Sequence, residues 1–89
     1  MSRPVGGPAS EPAGEPVVLD CRGQRCPLPV IALARVLLAA PLGHVVELWA
    51  DDAAAEVDVP AWCRLRGQQL VGVHPRADGS VAYQVRRSA

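Results

Sequence analysis

The chain has 89 residues, enough for one domain, and its nine basic side chains balance nine acidic ones to a formal net charge of zero. That balance excludes the basic excess of a general nucleic-acid binder and leaves no acidic tail. Phe is absent and the aromatics are Trp49, Trp62 and Tyr83, so the core has to come from Val, Leu, Ile and Ala.

Residues 1–16 carry Pro4, Pro8, Pro12 and Pro16 with Gly6, Gly7 and Gly14 and few apolar anchors. This composition predicts a disordered tail. It lacks the apolar core a signal peptide needs. Val17-Val18-Leu19 is a short strand candidate, ended by Asp20 and Gly23. From Leu28 to Ala40 the apolar residues Val30, Leu33, Ala34, Leu37 and Leu38 share one helical face, and Pro41 and Gly43 stop the helix. Arg35 interrupts the apolar stretch Pro27 to Leu42, which is too short to span a bilayer.

Val45 to Ala50 reads as a second strand. Asp51-Asp52 then supplies N-cap candidates for a short helical segment across Ala53 to Val57. Pro60 is expected to interrupt it, with a further turn or two from Ala61 to Arg66 and Gly67 as the C-cap. Leu70 to His74 and Val81 to Arg86 read as strands of an antiparallel hairpin turned by Ala77-Asp78-Gly79. The order predicts an α/β (α+β) fold, a two-layer βαβαββ sandwich with two helices on one face of a four-stranded mixed sheet. The first two strands are expected to be parallel neighbours or near-neighbours joined by a right-handed crossover. The expected organisation is a tail over 1–16 and one domain over 17–88.

Three cysteines in C-x4-C spacing plus a distant third do not form the even framework of a small secreted domain. A reducing cytoplasm with free thiols is the simplest expectation. Cys26 is the strongest candidate for chemistry. It precedes Pro27, and proline suits the first helical position because its fixed φ fits a helix and its missing N–H needs no partner there. Cys26 is therefore the expected N-cap, at the positive end of the helix dipole, where a thiolate is stabilised. Arg22 and Arg25 add positive charge nearby, so the expected thiol pKa is lowered. Because Pro29 also lacks an N–H, Leu28 is the one early residue of that turn able to offer a donor to a sulfur anion. The alternative is a buried cysteine that serves as a small hydrophobe.

Cys21 does not stand in the C-x-x-C spacing of dithiol oxidoreductases, and Cys63, beside Trp62, is expected to face the core. A metal site from the three cysteines with His44 or His74 matches no structural zinc spacing. Asp51 and Asp52 read as caps rather than as an acid–base pair. Neither a Gly-rich phosphate loop nor a Ser/His/Asp arrangement stands out. Leu28, Ile31 and Ala32 either form an exposed apolar patch beside Cys26 or pack under the chain's own loops.

Leu19-Asp20, Gly23 and Cys26-Pro27-Leu28-Pro29 together resemble the signature of the TusA/SirA-like sulfur-carrier family, whose hallmark is Cys-Pro-x-Pro opening the first helix. The likeness continues through Ala50-Asp51-Asp52 and through Asp58-Val59-Pro60-Ala61-Trp62-Cys63 with Gly67, and covers Val17 to about Arg87. Two positions depart from it: Ala53 where many relatives have proline, and Gln68 where a histidine is common.

The resemblance implies a fold similar to the C-terminal domain of a bacterial translation initiation factor. It also implies a cysteine that accepts sulfane sulfur as a persulfide and passes it on. The donor would be a cysteine desulfurase or rhodanese-like protein, and the recipient a downstream acceptor protein. Family uses include tRNA thiolation, molybdenum-cofactor assembly and sulfur oxidation. The implied role is a sulfurtransferase-type carrier rather than a stand-alone catalyst, with no metal or organic cofactor, no direct nucleic-acid contact and no membrane. The alternatives are a thiol redox switch using Cys21 and Cys26, or a regulatory protein-interaction domain.

Overall fold

The computed structural model describes residues 17–89; the expected tail over 1–16 lies outside them. The elements run β1 (Val17–Asp20), α1 (Leu28–Ala39), β2 (Val45–Ala50), α2 (Ala55–Arg66), β3 (Gln69–Pro75) and β4 (Val81–Arg86). The strands form one sheet in the order β1-β2-β4-β3. β1 lies parallel to β2 in the register Leu19 to Leu48, while β2 and β3 flank β4 antiparallel. The expected mixed sheet and parallel first pair are both present.

Period-two alternation in β2 and β4 sends Val46, Leu48, Ala50, Tyr83 and Val85 into the core and leaves Glu47 and Gln84 half-buried on the other side. The helices cover the apolar face. α1 buries Pro29, Leu33 and Leu37, and α2 buries Ala55, Val59 and Cys63, each an i, i+4, i+8 row. Those rows and the strand residues make one core cluster. Leu38, expected on the core face, is 44% exposed at the edge of that row.

The second helix corrects an expectation. It runs without a break through Pro60. Proline there removes the donor that would bond the Glu56 carbonyl. Glu56 is exposed, so water can satisfy that carbonyl, whereas a break at residue 60 would split the row Ala55, Val59 and Cys63 that seals the core. Burial of the row outweighs the lost bond. Gly67 ends the helix in the left-handed region at φ 72°, as its C-cap assignment anticipates.

Two long-range clamps tie the chain end to the helices. Arg87 donates from Nη1 to the carbonyls of Leu38 (3.0 Å) and Ala40 (2.5 Å), satisfying acceptors left over at the end of α1. Gln68 is buried, and its Oε1 accepts the Ser88 N–H at 2.8 Å while its amide donates to the Ala89 carbonyl at 3.2 Å. On the open sheet face, the Arg76 guanidinium lies 3.7 Å from the Trp49 ring centre and that of Arg22 lies 5.1 Å from it.

Candidate functional site

Parallel pairing of β1 and β2 sets their C-terminal ends side by side, so the loop after each meets the other. The β1–α1 loop carries Cys26 and the β2–α2 loop carries Asp51 and Asp52. Asp51 accepts the Gly23 N–H with both oxygens, at 3.0 and 3.1 Å. Asp52 accepts the Cys26 N–H at 2.7 Å with one oxygen and the Ala54 N–H at 3.1 Å with the other. These N–H bonds hold the Asp52 carboxyl below the usual carboxylate range, with a smaller contribution from the Arg25 charge. The expectation that Asp51 or Asp52 caps α2 is corrected: the N-cap is Ala54, without a side-chain cap, and both carboxylates are turned to the N–H groups of the loops ahead of the helix. Asp52 fixes the backbone of Cys26 to the neighbouring loop.

Between the two loops lies an open depression of about 500 Å³, lined by 23–26 and 51–54. Cys26 is half-buried at its wall, and its thiol donates a hydrogen bond to Oδ2 of Asp58, in the first turn of α2. That bond, then partial burial, then the negative charges of Asp58 and Asp52 push the thiol up to about 11 from an ordinary 9.0.

Several expectations about this site are corrected. The residue at the N-cap is Pro27, with φ −97° and ψ 14°, and Cys26 lies one position outside the helix. The Cys26–Pro27 peptide bond is cis. The Leu28 N–H donates to the Arg25 carbonyl at 2.9 Å and is not free for a sulfur anion. The Arg22 guanidinium is held in ion pairs with Asp20 (2.6 Å) and Asp78 (2.9 Å), away from a role as counter-ion to the thiol. Arg25 is exposed and acts on Asp52. The expected lowered thiol pKa is therefore replaced by a raised one, because carboxylates surround the sulfur where arginines were expected.

The other thiols are set apart. Cys21 and Cys63 are both buried, burial raises the pKa of each, and neither is in a disulfide. Among the described residues, no group of three or more His, Cys, Asp or Glu side chains could hold a metal ion. Leu28 and Ile31 are exposed at 53% and 48%, and Ala32 packs against the core. Val57, next to Asp58, is also exposed.

The sequence reading missed Asp58 as a partner of the thiol. Its sequence signals are its place at the head of the family-like segment Asp58 to Cys63 and its position in the first turn of the helix that follows the Asp pair.

A family model described as "Sulfurtransferase TusA" matches residues 17–87. The chain belongs to the TusA family. Its relatives include a protein of Archaeoglobus fulgidus named as a candidate sulfur carrier, 35% identical over 68 residues, which are 76% of this chain and 88% of the relative. The "Sulfur carrier protein TusA" of Pseudomonas entomophila is 32% identical over 71 residues, 80% of this chain and 88% of that one. A crystal structure of a SirA-like protein from Desulfitobacterium hafniense superposes with a TM-score of 0.73 at 20% identity, covering 82% of this chain and 99% of the other. That likeness shows the shared fold. Membership in the TusA family supports a sulfur-carrier role for the chain. Among the described residues, no helix is long and apolar enough to cross a membrane.

Proposed function

We propose that Cys26 accepts a sulfane sulfur as a persulfide and relays it to a partner protein. The observation that carries this reading is the contrast among the three thiols: Cys26 alone reaches solvent, in the Cys-Pro-x-Pro segment of a TusA domain, while Cys21 and Cys63 are buried. Thiol exchange requires access as well as thiolate, and only Cys26 has access.

The donor in this proposal is a cysteine desulfurase or a rhodanese-like protein, and the recipient is an acceptor cysteine on a second protein. Leu28, Ile31 and Val57, apolar and exposed beside Cys26 and Asp58, would meet both partners. The domain over 17–88 would act in the cytoplasm, feeding tRNA thiolation, molybdenum-cofactor assembly or sulfur oxidation. Pro27 and Pro29 would stiffen the loop on which the sulfur is displayed.

Cyanolysis gives the test. After incubation with a cysteine desulfurase and cysteine, the desalted protein should release one thiocyanate per chain on treatment with cyanide. Cys26→Ser should release none. Equal release from both would remove Cys26 from the role.

A further inference from the structure

The environment of Cys26 poses a chemical problem. A thiol is a poor nucleophile until it loses its proton, and here the partner of that proton is a carboxylate rather than a cationic group. Asp52 is occupied by the N–H groups of Cys26 and Ala54. The nearby positive charge, Arg25, acts on Asp52, and Arg22 is bound to Asp20 and Asp78. Asp58 is the group in contact with the hydrogen that must leave.

We infer that Asp58 is a catalytic residue of sulfur transfer, the carrier of the Cys26 proton to the donor's departing sulfur. This step rests on the persulfide reading of Cys26. As donor R–S–SH approaches, the Cys26 S–H bond breaks and the proton moves to Oδ2 of Asp58. Cys26 sulfur bonds to the donor's outer sulfur, and the donor S–S bond breaks. The donor leaves as a thiolate and takes the proton from Asp58. The products are Cys26–S–SH and R–SH. One S–S bond forms as another breaks, so no oxidant or reductant is required. A carboxylate is ordinarily a much weaker base than a thiolate, so the proton stays on sulfur at rest and moves only as the new S–S bond forms. In delivery, the acceptor thiol gives its proton to Asp58 and its sulfur bonds to the outer sulfur of Cys26–S–SH; the Cys26 S–S bond breaks, and Asp58 passes the proton to the Cys26 sulfur as it leaves.

A purely restraining carboxylate and a proton-carrying one predict opposite behaviour in two reactions of the full-length chain. Alkylation by iodoacetamide needs only thiolate, because iodide leaves without a proton. Transfer from glutathione persulfide also has a thiolate leaving group to protonate. In Asp58→Asn, alkylation at neutral pH should rise severalfold, since losing the carboxylate removes the largest of the effects that hold the thiol up, while burial and the Asp52 charge remain, and lower nucleophilicity cancels about half of the gain in thiolate. Sulfur loading from glutathione persulfide should fall about a hundredfold, the loss expected for a missing acid–base group. Asp58→Glu should recover most of the loading.

Protection of Cys21 and Cys63 from the same reagent reports that each variant is folded, and Asp58→Ala serves as a second variant if Asp58→Asn is not. Loading that rises in step with alkylation, or that stays unchanged, would overturn the assignment of Asp58. A wild-type chain that takes no sulfur from any donor would instead remove the carrier reading itself.

Discussion

At the scale of single residues, Cys26 behaves as a guarded thiol. Held up to about 11, it carries roughly one hundredth of the thiolate at neutral pH that an ordinary cysteine would, by the tenfold-per-unit rule of titration. Its alkylation rate should therefore climb about tenfold per pH unit from about pH 7 to about pH 10 before levelling, as thiolate fraction dictates. A plateau reached near pH 8 would mean a lowered pKa and contradict the carboxylate environment. The sign for stability agrees: the fold favours the protonated thiol, so its contribution is whole below pH 9.0 and is lost as the pH rises through about 11. This electrostatic setting was not legible in the sequence. The Cys-Pro pair and flanking arginines are local signals, while the carboxylates that decide the pKa come from 26 and 32 positions away.

At the scale of elements, the strands and first helix were readable from runs of β-branched and apolar residues bounded by Asp, Gly and Pro, and in β2 from clean alternation. α1 was expected over Leu28 to Ala40 and spans Leu28–Ala39; β2 and β4 match their expected ranges. α2 was not readable as one helix, because a local rule about proline competed with a tertiary row of buried residues that sequence periodicity shows only weakly. The interrupted hydrogen bond still costs stability. Pro60→Ala restores a donor for the Glu56 carbonyl and should stabilise the protein by about 2 kcal/mol, the helix-interior penalty of proline less the entropy it removes from the unfolded chain. A urea titration reads this as a higher midpoint at unchanged slope. No gain would mean that the proline ring packs as favourably as the bond it displaces.

At the scale of the molecule, the site exists because β1 and β2 are parallel neighbours. Only that pairing brings the Cys26 loop against Asp51 and Asp52, and α2, returning across the sheet, supplies Asp58. The parallel first pair and the closing hairpin were legible from element order and crossover rules, so the meeting of the two loops was implicit in them, but the placement of β4 between β2 and β3 and the exact hydrogen bonds were not. Gln68, one of two departures from the family pattern, is explained by its place: it holds Ser88 and Ala89 against the end of α2, far along the chain from Cys26. No structural reason distinguishes Ala53 from the proline common in relatives.

The central claim concerns one sulfur on one cysteine, and peptide mass spectrometry tests it most directly. After loading by a cysteine desulfurase with cysteine, and alkylation of the folded protein to trap the persulfide, fragment ions should place one added sulfur on Cys26 and none on Cys21 or Cys63. Sulfur on a buried cysteine instead, or none on Cys26 with any persulfide donor, would contradict the account.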